Sequence, residues 1–421
     1  MYSHTSKFRA KFLLLVAVFF VFSNLFVSLI QTESASALRQ YQDYSWTKSI
    51  GSTGNDSGAA VAFDSSNNVY FAGHFSGTVD FNPGVGVDNF TSAGSSDTFL
   101  SKYSNSGTYI WTKVIGGTGG DYNSGVRVDS LDNIYILNMF SGTVDFDPGV
   151  GIDSLVSAGS TDISLTKLNP DGSYAWTKTV GSTGAETARY IVLRQNKIYI
   201  AGSYNLTVDF NPDGGTDNFT TNGAADFFIS KYNADGSYGW TQSIGGANGD
   251  DVFSIAVDSL ENVYATGAYI ENMDFDPSEG VDNHTVVDNQ GDIYLTKLNS
   301  DGSYGWTKTI GSYSQDLGTS VAVDSNDNIY FTGLFSSAYG PIDFNTGAET
   351  DEHEAVNMND IFLSKLNSDG SYAWTKTMGG LYGDYGRSIA IDSNDSVFVV
   401  GEFSGTVDFK YGAGTDNRTS T

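Results

Sequence analysis

The sequence predicts an all-β protein assembled from repeats, and two observations carry this prediction. Every tryptophan stands in a related context, such as "DGSYAWTKTVG" from Asp171, and successive tryptophans lie 64 to 68 residues apart. A fixed period of this size indicates a repeat architecture. Short runs of β-branched and aromatic residues alternate with Gly, Asn, Asp and Ser, which is typical of strands joined by tight turns. There is no cysteine, so packing must stabilise the fold.

The first repeat contains four predicted strands. Strand a runs from 59 to 63, strand b from 69 to 75, strand c from 98 to 103 and strand d from 109 to 115. The turns "DSSNN" and "SNSG" join a to b and c to d, and they have the chemistry of tight hairpins. Strand b carries apolar groups on both sides, so stacked neighbours must cover both faces of each sheet. One four-stranded antiparallel sheet per period is a β-propeller blade.

The repeats predict the domain plan. A single propeller domain is expected over 38–421, with repeats that start near Trp46, Trp111, Trp176, Trp240, Trp306 and Trp374. The last repeat has strands a and b but no strand c before Thr421. We therefore expect five complete blades and an incomplete sixth, closed by the N-terminal strand 44–51 beside the strand 397–403. The tryptophans are expected to pack between blades, with sugar stacking as the alternative.

The N-terminal segment predicts export. Three basic residues precede an apolar run over 12–30, and Ala35-Ser36-Ala37 offers a small-residue cleavage site. This pattern is that of a secretory signal peptide, with cleavage after Ala37. The apolar run is also long enough to span a bilayer, so an uncleaved membrane anchor is the alternative. Either way the repeats are expected to be secreted or held at the cell surface.

Recurring segments such as "SGTVDFNPGVGVDNFTSAGSSD" from Ser76 and "SGTVDFDPGVGIDSLVSAGSTD" from Ser141, followed by "DGSYxWTK", carry a family resemblance. Over residues 41–421 the chain resembles the bacterial SBBP-type β-propeller repeat proteins. The resemblance implies an exported or surface propeller. It implies no catalytic residues, because that family has none in common.

The b–c connectors, about twenty residues each, carry a repeated acidic signature. Oxygen-bearing side chains at i, i+2 and i+8 around a Pro/Gly turn suit calcium, which takes six to eight oxygen ligands. The alternative is that these side chains only cap backbone N–H groups of the turn. The candidate calcium ligands are Asp80, Asn82, Asp88, Asp145, Asp147, Asp153, Asp209, Asn211, Asp217, Asp274, Asp276 and Asp282. In the last repeat Lys410 departs from the signature.

The net charge and the residues that depart from the repeat limit the classes of function that the sequence allows. A formal net charge of −28 disfavours nucleic acid as a partner and favours basic partners or divalent cations. His74, His284 and His353 are expected at three different repeat positions, and the acidic insertion around His353 suits either a metal or sugar site or a solvated loop. The leading hypothesis is a non-catalytic binding or scaffold module that takes a protein or glycan on the connector face. The alternatives are a polysaccharide-acting enzyme with paired carboxylates and a calcium-stabilised surface repeat.

Overall fold

A computed structural model describes residues 46–421 apart from 85, 288, 289, 338, 411–414 and 421. The chain separates into residues 1–45 and 46–421, and only the second unit is described. The predicted signal peptide and its cleavage site therefore lie outside the described residues. Every regular element of the described part is a β-strand. None of its segments forms a helix long and apolar enough to cross a membrane.

The strands follow the predicted repeat. The first repeat contributes β1 (Ser57–Phe63), β2 (Val69–Phe75), β3 (Thr78–Asp80), β4 (Asn89–Thr91), β5 (Asp97–Tyr103) and β6 (Tyr109–Gly117). The second contributes β7 (Tyr122–Val128), β8 (Ile134–Phe140), β9 (Thr143–Asp145), β10 (Ser154–Val156), β11 (Asp162–Leu168) and β12 (Tyr174–Val180). The third contributes β13 (Thr187–Arg194), β14 (Lys197–Tyr204), β15 (Thr207–Asp209), β16 (Asn218–Thr220), β17 (Asp226–Asn233) and β18 (Tyr238–Ile244).

The later repeats have the same order. The fourth contributes β19 (Asp251–Val257), β20 (Val263–Tyr269), β21 (Met273–Asp274), β22 (Asn283–His284), β23 (Asp292–Leu298) and β24 (Tyr304–Ile310). The fifth contributes β25 (Leu317–Val323), β26 (Ile329–Ser336), β27 (Ile342–Asp343), β28 (Glu352–His353), β29 (Asn359–Leu366) and β30 (Tyr372–Met378). The sixth contributes β31 (Tyr385–Ile391), β32 (Val397–Glu402), β33 (Thr406–Asp408) and β34 (Asn417–Thr419).

Each of the first five repeats forms a four-stranded antiparallel sheet in the order a, b, c, d. The first of these blades is β1-β2-β5-β6, and the next four repeat its order. The predicted all-β propeller of four-stranded antiparallel blades is confirmed. The predicted strands of repeat one agree with the observed strands to within two residues at each end, because turn residues flank each apolar run.

The core lies between neighbouring blades. Strand a of each blade packs on strand a of the next, from β1 on β7 through to β25 on β31. Most of the buried clusters combine side chains of two consecutive blades, as when Tyr199 and Ile229 of the third blade pack with Ile255 and Tyr294 of the fourth. Both faces of an inner blade are thus covered, as its two-sided apolar strands require.

The tryptophans lie in the seams between blades, as predicted. The indole of Trp176 covers Gly236, the glycine in the c–d turn of the following blade, and a Cβ there would lie 3.0 Å from the ring. Gly236 has a φ of 86°, which favours glycine. Trp111 covers Gly172 in the same way, and the indole N–H of Trp240 donates to the Ser300 carbonyl at 3.2 Å. The repeated "DGSYxWTK" motif therefore builds equivalent seams.

The seam indole should contribute substantially to stability. We expect Trp176→Ala to lower the free energy of unfolding by roughly 2–4 kcal/mol, below the value for a fully buried indole because the ring is half-buried. Trp374 also lies in a seam, against Leu363 and Ile389, but among the described residues no turn glycine of a following blade lies against it, so Trp374→Ala should cost less. Denaturant unfolding of both variants checks this. Equal losses would show that the contact with the turn glycine adds nothing to the stability of the seam.

The closure predicted for the sixth blade is not observed. β31 and β32 form a two-stranded sheet, and residues 46–50 form no strand. Instead, Trp46 packs on Phe71 and Tyr103 of the first blade and covers Gly107. The reason is that Trp46 packs on the first blade in the same way that a strand-d tryptophan packs on the blade after it. Trp46 covers Gly107 of the first blade, just as Trp111 covers Gly172 of the second. The segment keeps its seam contact and does not pair with β32; residues 44 and 45 lie outside the described part.

Candidate functional site

The long connectors are ordered β-hairpins. In the first blade β3 pairs with β4, and Val79 and Phe81 of this hairpin are buried against Phe75 and Phe99 of strands b and c. In the second blade β9 also pairs with the end of β6 in the preceding blade. The connectors therefore stabilise the outer part of the seams, which explains their length.

The residues predicted to bind calcium cap these hairpins. Asp145 Oδ1 accepts the backbone N–H of Asp147 at 3.1 Å and of Asp153 at 2.9 Å, while the Tyr174 hydroxyl donates to Asp153. The same bonds occur at Asp80, Asn82 and Asp88, at Asp209, Asn211 and Asp217, and at Asp274, Asp276 and Asp282. Asp408 caps the N–H of Lys410 and Asp416 in the same way. Because the cap uses backbone N–H groups, a lysine at the second position is tolerated.

These contacts bear on the calcium prediction. Within the described ranges, no three His, Cys, Asp or Glu side chains are grouped so as to hold a metal ion. One oxygen of each first aspartate is occupied by backbone donors, and the last aspartate of each full signature accepts a tyrosine hydroxyl. The residues do not fit a calcium site as they stand, and the geometry supports the capping alternative. Calcium binding stays a prediction.

Capping gives a distinct mutational result. Asp145→Ala should lower the free energy of unfolding by roughly 1–2 kcal/mol, because two backbone N–H groups lose their acceptor. Asp145→Asn should cost less, since the amide oxygen still accepts. Both losses should be the same in excess calcium and in EDTA, as measured by thermal unfolding. A calcium-dependent rise in the melting temperature of the parent protein that Asp145→Asn abolishes would contradict this.

Two of the histidines belong to the connector hairpins. His284 and His353 occupy equivalent positions in the fourth and fifth connectors, so the expectation of three different repeat positions was wrong. Their Nε2 atoms lie 3.1 and 3.3 Å from Asp282 and Asp351 of their own hairpins. Their rings pack on the phenylalanines at 275 and 344. Phe90 fills the same place in the first blade, so this position is structural.

Two buried acids lie side by side at each of five seams. The first acid begins strand c, and the second lies in the link from strand d to the next strand a. The backbone N–H of the second acid donates, at 2.7–2.9 Å, to the carbonyl of the residue before the first acid. The pairs are Asp97 with Asp121, Asp162 with Glu186, Asp226 with Asp250, Asp292 with Asp316, and Asp360 with Asp384. None of these residues is more than 4% exposed.

Burial raises the pKa of nine of these ten acids; among them are the three described next. Burial raises the pKa of Asp121 to about 6, and the charge of Asp97 acts in the same direction. Burial, together with the charges of Glu271 and Asp226, raises the pKa of Asp250 to about 7. Burial likewise raises the pKa of Asp316 to about 7. Oδ1 of Asp226 and Oδ1 of Asp250 are buried without a partner among the described residues. A proton shared within the pair would reduce both the cost of burying two charges and the repulsion between them.

Large apolar side chains are exposed together on the connector face of the fifth and sixth repeats. We call this set the blade five–six patch. Its side chains are 50–75% exposed, and they are Tyr313, Tyr339, Val356, Met358, Leu381 and Tyr382. The segments that carry them contact one another. The rings of Tyr313 and Tyr339 lie 5.9 Å apart, Ser337 Oγ bonds to the Ala355 backbone, and Asn357 Nδ2 donates to the Leu381 carbonyl at 3.1 Å.

Sequence reasoning pointed to the irregular fifth connector but missed this patch. The missed signal lies in the d–a links. The earlier links read "GSTGND", "GGTGGD", "GSTGAE" and "GGANGD", whereas the last two read "GSYSQD" and "GGLYGD". Small residues are thus replaced by Tyr and Leu only where the irregular connector is adjacent. The same connector carries four acidic residues, Glu349, Asp351, Glu352 and Glu354.

Comparisons with known proteins bear on the type of fold. No protein-family model matches the chain. An uncharacterized WD repeat-containing protein of Acanthamoeba polyphaga mimivirus is 25% identical, with 87% of this chain and 32% of that protein covered. Regulatory protein FlaEY of Caulobacter vibrioides is 24% identical, with 90% and 40% covered. The chain therefore spans two fifths or less of the length of these relatives.

The similarity to solved structures is distant. A crystal structure of an ACO/RPE65 chimera matches with a TM-score of 0.35 and 10% identity, covering 75% of this chain and 64% of that one. The fold assignment therefore depends on the repeated four-stranded sheets and on the WD repeat-containing relative. On those grounds the chain is a repeat protein of the β-propeller type.

Proposed function

We propose that the protein is a non-catalytic propeller that binds another protein through the blade five–six patch. The observation that carries this proposal is the exposure of six large side chains on segments that contact one another, five of them at positions where other repeats have small or polar residues and one, Tyr339, in an insertion. An exposed apolar patch with a polar rim is the usual anatomy of a protein-binding surface, and tyrosine is enriched at such sites. The WD repeat-containing relative supports a propeller that mediates interactions.

The surrounding charge indicates the chemistry of the partner. The fifth connector is acidic, and the chain carries a formal net charge of −28. A partner with exposed apolar side chains and basic residues around them would complement this surface. Export and SBBP-type family membership belong to the same proposal, and their support is the N-terminal pattern and the repeated connector motif.

Restoring the small residues of the other repeats tests the proposal. The first step is to identify the proteins of the producing cell that the full chain retains. The one that binds most tightly would then be purified and its affinity measured. Tyr313→Thr and Tyr382→Gly introduce residues found at the same positions in other links, and each should weaken binding by about tenfold or more.

The repeats also offer a matched control. Leu131 and Leu260 are each 71% exposed in a–b turns, where the fifth repeat has Asn326. Leu131→Asn and Leu260→Asn remove equal apolar exposure from another part of the molecule, and they should leave the affinity unchanged. Equal losses in all four variants, or none, would reject the patch as the binding surface.

A further inference from the structure

The a–b turns of neighbouring blades are tied by a serine and a carboxylate. The Ser65 backbone N–H and hydroxyl donate to the two oxygens of Asp132, at 2.8 and 2.7 Å. Ser259 donates in the same way to Asp327, and Ser325 to Asp395. These aspartates have φ of 60–63°. The serine of an a–b turn is therefore a carboxylate receptor that the next blade normally occupies.

The third blade breaks this pattern. Its a–b turn is the two-residue turn Gln195-Asn196, whose residues have φ of 47° and 61°. Arg194 and Lys197 flank the turn where the other blades have Asp and, in most cases, Asn. No described residue of the third blade offers a carboxylate to Ser130, the receptor serine of the second blade. The aspartate that the other turns supply is thus missing here, and the cations Arg194 and Lys197 lie beside its place.

A cavity of about 220 Å³ opens at this place. Ser130, Tyr135, Arg194, Lys197 and Asp129 are among the residues that line it. Asp129 is already saturated, since it accepts two backbone N–H groups, the Asn133 amide and the Tyr135 hydroxyl. Lys197 donates to Asn233 Oδ1 at 2.6 Å, and Arg194 Nε donates to the Asp258 carbonyl at 3.2 Å. The site is a locally basic region of a strongly acidic protein.

We propose that this cavity binds a small carboxylic acid, whose carboxylate takes the place that Asp132, Asp327 and Asp395 take at the other turns. The Ser130 N–H and hydroxyl donate to the two carboxylate oxygens, and the Arg194 and Lys197 charges favour the anion. The volume is below the roughly 300 Å³ of typical ligand sites, so the ligand is metabolite-sized. The site is on the turn face, and it is independent of the blade five–six patch.

The test uses the full chain with succinate and glucuronate as probes and with succinamide as the uncharged analogue. We expect saturable binding of at least one acid by NMR titration and none of succinamide. Ser130→Ala and Arg194→Gln should each weaken binding about tenfold or more. Ser325→Ala is the matched control, because Asp395 already occupies its serine, and it should leave the affinity unchanged.

A graft provides a second variant that keeps a natural turn. Replacing residues 194–197 with residues 324–328 of the fifth blade supplies an aspartate to Ser130, and it should abolish binding while the protein stays folded. Three results would overturn the proposal: no saturable binding of either acid, equal binding of succinamide, or acid binding that survives Ser130→Ala, Arg194→Gln and the graft.

Discussion

Lowering the pH from about 8 to about 5 should stabilise this protein, by on the order of 5 kcal/mol, because the seam acids take up protons. The folded-state pKa of Asp250 and of Asp316 is about 7, and that of Asp121, Asp226 and Asp360 about 6. All lie above the unfolded value near 4, so the folded state binds more protons between those values. The free energy of unfolding therefore falls as the pH rises from about 4 to about 7. Above about pH 7 the acids are ionised in the folded state as well, and the loss of stability is complete.

Substitutions separate the seam acids from the general effect of net charge. Asp250→Asn removes one charge from the pair with Asp226, so it should stabilise the protein at pH 8 and flatten the pH profile. Glu349→Gln removes the same charge from an exposed side chain, and it should leave the profile as it is. Melting temperatures measured from pH 5 to pH 8 check both variants. A parent protein that is most stable at pH 8 would show that the acids stay ionised in the folded state.

Gly181→Ala should lower the free energy of unfolding by roughly 3 kcal/mol, since a methyl group there meets a buried carboxylate. A Cβ on Gly181 would lie 2.1 Å from the carboxyl carbon of Asp162. Asp162 cannot easily move away, because its Oδ2 accepts the Ala158 N–H at 2.8 Å. The acid of strand c thus requires a glycine at the end of strand d, which explains why each "WTK" segment is followed by one.

Gly249→Ala is the matched control for Gly181→Ala. Gly249 also lies in a d–a link, but a Cβ there meets no atom within 4 Å. Its substitution should change the free energy of unfolding by less than about 0.5 kcal/mol. Urea denaturation of the two variants measures the difference. A similar cost at both positions would mean that the links adjust freely and that the acid pair does not fix the strand-d glycine.

The fold was predictable because its signals are local and repeated. The spacing of Trp111, Trp176 and Trp240 gave the period, and the flanking Asx and Gly residues gave the hairpins. The position of the indoles between blades was predicted from the same motif, whereas the turn glycines that most of them cover were not. The closure of the sixth blade was predicted wrongly, because the sequence shows that the segment 44–51 resembles a strand d, but not whether it keeps a seam contact or pairs with an open sheet edge.

The site was less predictable because it depends on contacts between repeats. Asp145, Asp147 and Asp153 suit calcium by spacing alone. Whether their oxygens face an ion or backbone N–H groups depends on how the hairpin folds against its blade. The paired acids are also invisible in sequence, since Asp226 and Asp250 belong to different blades and a backbone bridge brings them together.

The blade five–six patch illustrates the same limit. Tyr313 and Leu381 are separated by a whole repeat, and only the stacking of blades places them on one surface. An alignment of the links shows Tyr and Leu where the other links have Thr or Ala. A single exposed tyrosine in one link, however, does not predict a binding surface. What distinguishes a surface from scattered side chains is contiguity, which only the fold supplies.

Site-specific cross-linking tests the central claim most directly. A photo-reactive amino acid would be placed at Tyr382 in one variant and at Asn248, the same position of an earlier link and also exposed, in another. The binding account predicts that the partner retained by the full chain is cross-linked from position 382 and not from position 248. Equal cross-linking from both positions, or cross-linking from 248 alone, would contradict it.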